Sequence, residues 1–337
     1  MPISQQLKII KNRSDIGAGT RGSDMGIDAL EVAAINQEND FFIRFPYEDV
    51  RTHNETVYNK VHNSFAKRIG HVYEQCVRVA ESVQRSLADG FFPLVLSGDH
   101  SSALGTMSGI KAHYPDRCLG VVWIDAHADV HSPYTSPSGN IHGMPLAAAM
   151  QDDNMVACIN NPVDDTKRHW EAMKRIGTPM PKVEGQHVVY WGVRDTEPAE
   201  DQQMARLNMR NFTVPEVRFR GLGTCVSETL DRLSNCDLIY VSFDVDSMDA
   251  DMVSHGTGTP VSKGFDPLEV MALLDGLMAS RKIVALEVVE INPLLDDRGN
   301  RMAETAFQVL DHAVGKIPRS AGDQWYPVPR KHSDIPG

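Results

Sequence analysis

Residues 119–131, LGVVWIDAHADVH, restrict what this chain can fold into more than any other stretch. An apolar run, 119–124, stops abruptly at Asp125, His127 and Asp129. Continuous apolar runs mark strands buried on both faces, as in a parallel sheet covered by helices. Side chains two apart on an extended backbone share a face. If the chain stays extended past Ile124, these three ligand-type groups line one side. Open parallel sheets collect ligand groups at the carboxyl ends of their strands. Three metal-capable groups packed so tightly either repel one another or require a cation.

The same punctuation recurs elsewhere. Apolar residues 92–96 lead into Ser97-Gly98-Asp99-His100-Ser101, with a helix expected to open at Ser101 or Ser102. Residues 237–243 lead into Asp244-Val245-Asp246, and 283–289 into Glu290-Ile291-Asn292-Pro293. Further strands are expected at 7–10, 41–45, 188–191 and 212–217. Val61, Phe65, Ile69, Val72, Cys76, Val79, Val83 and Leu87 step by three or four, which predicts a helix over 60–89 with Gly90 as its stop. Helices are also expected over 266–280 and 301–315. Residues 17–26 form a glycine-rich loop without dinucleotide-fold spacing. Residues 151–186 read as an insertion or a loosely helical excursion, placed to cover a pocket or a subunit interface. The stretch from Pro318, with Trp325 and Tyr326, reads as an extended tail. Strands alternating with helices indicate an α/β chain with a mostly parallel sheet and helices on both faces. Without repeats or linkers, residues 1–337 are expected to form one domain.

Composition narrows the function classes. A formal charge of −12 argues against nucleic acid or an anionic membrane surface as partner and favours a cationic small molecule. No run approaches the length of a membrane span. The first residues lack the pattern of a secretory signal. Five scattered cysteines, none in a C-x-x-C pair, read as reduced thiols of a cytoplasmic protein rather than a disulfide or zinc framework.

His100, Asp125, His127, Asp129, Asp244 and Asp246 together offer two imidazoles and four carboxylates. Singly, each has a plainer reading, such as a core histidine or a capping aspartate. A coincidence at three strand ends is a poor explanation for all six. Four crowded carboxylates cannot all stay ionised without compensation, and two divalent cations supply it. Ligation without thiolate favours manganese over zinc, with cobalt, nickel and iron as alternatives. Two ions about 3.5 Å apart can share a water and convert it into a hydroxide nucleophile at neutral pH. No Lys or Arg accompanies the motifs to clamp phosphate, which disfavours a phosphoesterase.

SGDHS at 97–101, DAHAD at 125–129, SFDVD at 242–246 and EINP at 290–293 resemble, in order, the motifs of the arginase–agmatinase family of ureohydrolases. The resemblance implies a three-layer α/β/α fold and a binuclear manganese site. One ion would take His100, Asp125, Asp129 and Asp244. The other would take His127, Asp125, Asp244 and Asp246, with Asp125 and Asp244 bridging. It implies hydrolysis of a guanidinium or related amidine carbon, and a homotrimer or homohexamer. His142 would carry a proton to the leaving amine, and Glu290 would face the guanidinium. Asp129 counts with them in the catalytic set.

Ser138-Gly139-Asn140-Ile141-His142-Gly143 is similar to the loop with which arginase members hold an α-carboxylate, implicating Ser138 and Asn140. Residues 194–200, RDTEPAE, resemble the segment that reads the α-amino group, through Glu197 or Glu200. TGTP at 257–260 matches the family, with Thr259 facing the pocket. His131 stands where those members carry an asparagine that contacts the α-carboxylate, which makes it a further expected substrate-binding residue, and Glu197 stands where they carry aspartate. The expected reaction is L-arginine to L-ornithine and urea. Agmatine, guanidinobutyrate or guanidinopropionate are the alternative substrates. A non-catalytic family member would have lost a ligand or His142, and every such position here is filled.

Overall fold

A computed structural model describes residues 7–317. The expected tail from Pro318, with Trp325 and Tyr326, lies outside the described residues. Eight strands form one sheet: β1 (Leu7–Asn12), β2 (Tyr47–Asp49), β3 (Phe92–Ser97), β4 (Leu119–Ile124), β5 (Val188–Trp191), β6 (Arg210–Phe212), β7 (Leu238–Asp244) and β8 (Ile283–Val289). Their spatial order is β2-β1-β3-β8-β7-β4-β5-β6. Every pairing is parallel. Parallel strands need crossovers, and the crossovers here carry helices that cover both faces.

The pleat sorts each central strand between two cores. From β4, Val122 and Ile124 face the helices Gly26–Asn36, Leu222–Arg232, Pro267–Met278 and Arg301–Val314. Leu119, Val121 and Trp123 face the helices Ile69–Ala88, Ala103–His113, Pro145–Met150 and Asp164–Lys174. β3, β4, β7 and β8 are buried along their whole length. That explains their largely apolar sequences, which the buried, hydrogen-bonded Ser242 and Glu287 interrupt. Burying a full side chain of this kind contributes about 1.5–3 kcal/mol, so the central strands are firm supports for whatever follows them.

Several expectations are corrected. Residues 41–45 are not a strand. Phe41–Arg44 is a short helix whose Phe41 packs edge-on against Phe45 and Phe307, and β2 follows it. Residues 212–217 split into the end of β6 and a helix, Val214–Arg220. Thr213 caps that helix by accepting from Glu216 N, and a proline lies in its first turn. The helix expected over 60–89 starts only at Ile69, because Arg68 takes a left-handed conformation, φ 57°. Phe65 and Val61 are therefore partly exposed. The excursion at 151–186 contains a true helix, Asp164–Lys174, whose Trp170 is fully buried and donates to Asp153.

Candidate metal centre and substrate cleft

β4 ends at Ile124, so the backbone is not extended through the DAHAD segment. The expected alternation gives way to a tight loop in which Asp129 adopts φ 51°. Left-handed conformations are uncommon for residues other than glycine, and they cluster at functional sites. The bend still directs the trio into one place. The carboxyl ends of β3, β4 and β7 bring His100, Asp125, His127, Asp129, Asp244 and Asp246 together.

Backbone N–H groups fix one oxygen on three of the carboxylates. Asp125 Oδ1 accepts from His127 N, Asp244 Oδ1 from Asp246 N, and Asp246 Oδ1 from Ala126 N. The second oxygens point inward. His100 Nδ1 lies 3.0 Å from Asp125 Oδ2, 3.0 Å from Asp129 Oδ2 and 3.2 Å from Asp244 Oδ2. His127 Nδ1 lies 3.0 Å from Asp246 Oδ2 and 3.5 Å from Asp125 Oδ1. Two ligand groups emerge, His100–Asp125–Asp129 and Asp125–His127–Asp246, with Asp125 common to both.

His100 Nδ1 and Asp125 Oδ2 are buried, close together, and without a hydrogen-bond partner of proper geometry. Orphaned buried polar atoms are expensive. Here they fit a pair of cations, which would satisfy both. Charge tells the same story. Burial pushes Asp129 up to about 6, with the Asp125 charge adding to it. Burial also raises Asp244 and Asp246, reinforced by neighbouring carboxylates. Burial opposes ionisation of Asp125 too, but His100 and His127 beside it pull its carboxyl well down. Burial would lower both imidazoles, and the surrounding carboxylates instead raise them well above the usual histidine value. The carboxylates favour protonated imidazoles, and positive charge of some kind is what the cluster requires. Cations can supply it.

A second layer of side chains holds the cluster residues in place. His100 stacks on Trp123 with centroids 4.0 Å apart, and its Nε2 meets Ser242 Oγ at 2.7 Å. Arg194 Nη2 donates to the carbonyls of Asp246 and Val261 at 2.9 and 2.8 Å, tying the Asp246 turn to the Thr259 loop. Thr259 Oγ1 lies 3.2 Å from Asp246 Oδ2.

The cluster forms the floor of a cleft of about 260 Å³. On one wall Glu290, with φ 67°, spends Oε1 twice, accepting from His100 N at 2.9 Å and meeting His142 Nδ1 at 3.0 Å. Burial would lower His142, but Glu290 outweighs it and raises the imidazole to about 9. Ser138 and Asn140 stand at the rim, where Ser138 Oγ accepts from Asn140 N. Gly139 takes φ 71° there, and a Cβ would collide with the Ser64 carbonyl. That close approach lets Lys67 Nζ donate to Asn140 Oδ1 at 3.0 Å.

The cleft is also lined by His131, Glu197 and Glu200. His131 lines the cleft, yet both ring nitrogens already have protein partners. Nδ1 meets Thr135 Oγ1 and Nε2 meets Glu197 Oε2, each at 3.0 Å. It braces Glu197 rather than presenting a free donor. Glu200 is buried, and its Oε2 accepts from Glu197 N to close a capping box on the helix Pro198–Arg206. Burial and the neighbouring Glu197 raise its carboxyl well above the ordinary value.

All the site residues expected from the sequence thus meet, although Asp125 lies beneath the others rather than on the cleft wall. Three contributors were missed. Lys67 carried no local signal, since it sits in a loop far from the motifs. Ser242 stood inside SFDVD and could have been found as the residue two before the candidate ligand Asp244. Asp195, in the RDTEPAE segment, lines the cleft 3.6 Å from His127 Nε2. Among the described residues, none of 151–186 lines the cleft.

Comparison with known proteins agrees with this geometry. The family model described as "Arginase family" matches residues 6–315. The arginase of Bacillus subtilis (strain 168) is 32% identical over 316 residues, covering 93% of this chain and 99% of that one. The arginase of Bacillus caldovelox is 33% identical over 314 residues, covering 92% and 98%. Its crystal structure superposes with a TM-score of 0.79 at 32% identity, over 92% of this chain and 98% of the other. A formimidoylglutamase from Bacillus subtilis, at 19% identity and a TM-score of 0.68, shares the fold.

Proposed function

Because the chain belongs to the arginase family and is an arginase-type ureohydrolase, a hydrolase of C–N bonds in linear amidines, we propose that its substrate is L-arginine, cleaved to L-ornithine and urea. The observation that carries this reading is the cleft itself. A six-ligand cluster forms the floor, an imidazole–carboxylate pair stands beside it, and donors and acceptors for an amino-acid head group lie at the rim.

The family is binuclear-metal dependent, and manganese is our choice for the ions, since the donors are oxygen and imidazole without thiolate. His100, Asp125, Asp129 and Asp244 would hold one, and His127, Asp125, Asp244 and Asp246 the other. Ions held there would supply Lewis acidity that makes water a nucleophile at neutral pH.

The remaining work falls to side chains. Glu290 places a buried carboxylate beside the guanidinium and keeps it over the cluster. Its other contact holds His142 by Nδ1, which leaves Nε2 to pass a proton to the departing amine. The Glu290 partner of His142 favours the protonated imidazole. Ser138 and Asn140 donate to the α-carboxylate, and Lys67 adds positive charge beside Asn140. Glu197, braced by His131, accepts from the α-amino group directly or through water. Glu200 fixes the backbone that carries Glu197.

Five unpaired cysteines support a reducing compartment, the cytoplasm. Among the described residues no helix is long and apolar enough to cross a membrane. Family habit supports a homotrimer or homohexamer, which light scattering reads directly.

Urea release with added manganese, measured across L-arginine, agmatine, guanidinobutyrate and guanidinopropionate, tests the substrate. L-arginine should give the highest kcat/KM by at least about tenfold, roughly the worth of one well-made hydrogen bond. Turnover of a guanidino acid with L-arginine untouched would move the protein to a different ureohydrolase.

A further inference from the structure

At the amino end of the same sheet, three residues meet that the cleft does not use. Cys118 stands just before β4, His187 just before β5, and Cys236 two residues before β7. These strands are neighbours in the order β7-β4-β5. Their entry points therefore converge, although the two cysteines are 118 residues apart in sequence. Cys118 Sγ lies 3.6 Å from Cys236 Sγ and 3.6 Å from His187 Nδ1. Ligand atoms of all three lie within 4.8 Å of one another. Both thiols are free, and Cys236 is buried. A separate cavity of about 250 Å³ opens onto Cys118 and His187.

These separations match a tetrahedral metal site. Zinc binds cysteine sulfur at about 2.3 Å and imidazole nitrogen at about 2.0–2.1 Å. At tetrahedral angles those bonds hold two sulfurs about 3.8 Å apart, and a sulfur and a nitrogen about 3.6 Å apart. A disulfide instead needs its sulfurs at about 2.05 Å, well inside the observed contact. The donors are soft, unlike the oxygen-rich cluster at the other end.

We infer that Cys118, Cys236 and His187 form a second metal site for one thiophilic divalent ion of the zinc class, with a cavity water as fourth ligand. On binding, both S–H bonds break, two metal–sulfur bonds form, and two protons leave to solvent without electron transfer. The ion pins the entries of three adjacent strands. It lies roughly 20 Å from Asp125, the length of β4, so it stabilises the sheet without touching substrate.

The test uses reduced, manganese-loaded protein, equilibrated with zinc chloride or, separately, with cobalt(II) chloride, then desalted. Wild type should retain three ions in total per chain. Cys118→Ser/Cys236→Ser and His187→Ala should retain two while releasing urea at the wild-type rate, which reports that they fold. Cobalt should give sulfur-to-metal charge-transfer absorption in wild type that the double variant lacks. The cleft offers no sulfur ligand, so that band reports only a thiolate site. Equal metal retention by wild type and variants, or no thiolate band in reduced wild type, overturns the inference. A Cys118–Cys236 disulfide persisting in the reduced, desalted protein overturns it as well.

Discussion

The two ends of β4 carry opposite chemistries. Asp125 follows its last residue and Cys118 precedes its first. At the carboxyl end, four carboxylates and two imidazoles crowd into a buried space that cannot hold its charge without cations or protons. At the amino end, two thiols and an imidazole pack side by side, and neutral groups of that kind sit together at little cost. The first site needs compensating positive charge, from cations or from protons. The second accepts an ion because its geometry already fits one. Strand ends of a parallel sheet make convergence cheap at both ends, and the donor set decides which convergence becomes an active site.

Substitutions separate the two ends. The largest effect is expected for Asp129→Ala, which removes a cluster carboxylate. Outer-shell partners of a metal typically cost 10–100-fold, so a ligand should cost at least about 1,000-fold in urea release, with metal content by plasma mass spectrometry falling in parallel. Unchanged activity with both ions retained would remove Asp129 from the ligand set. His142→Ala should lose about 10²–10⁴ in kcat, the usual worth of a positioned proton donor, while both ions stay bound.

The same histidine gives a pH signature in the cation-free protein. Its pKa rises from 6.5 to about 9 on folding. The Glu290 pair therefore adds stability that is complete below pH 6.5 and is lost as pH climbs through about 9. Urea denaturation of wild type and His142→Ala should show a stability gap at pH 6 that narrows by pH 9.5; a gap constant across that range would contradict the pairing.

Ser242→Ala removes the partner of His100 Nε2 and should weaken manganese binding about 10–100-fold without abolishing turnover in excess metal. His131→Asn is expected to have the smallest effect. Freed of its brace, Glu197 should lose a few-fold in KM for L-arginine with kcat nearly unchanged. A loss confined to kcat would place His131 in the chemistry instead.

The six-residue cluster was legible in the sequence because Asp125, His127 and Asp129, and again Asp244 and Asp246, recur two residues apart after strand-like runs, with His100 just beyond a third. The bend after Ile124 was not legible, since Asp129 holds a left-handed conformation that only the surrounding loop enforces. Local signals for the helix at 214–220 were present, in Thr213 followed three residues later by Glu216, and were outweighed by the apolar pair Val214 and Val217. The short helix at 41–44 was hidden because its aromatic residues suit strands, while Phe307, far along the chain, decides their packing. Lys67 beside Asn140, and Cys118 beside Cys236, are encounters across loops and strands. Spacing says nothing about either.

One titration bears most directly on the binuclear reading. Metal-free protein is given manganese in sub-stoichiometric steps while urea release from L-arginine is followed. The rate should climb and level off at two equivalents per chain. A plateau at one equivalent, or a rate indifferent to manganese, would contradict a pair of ions acting together on the guanidinium carbon.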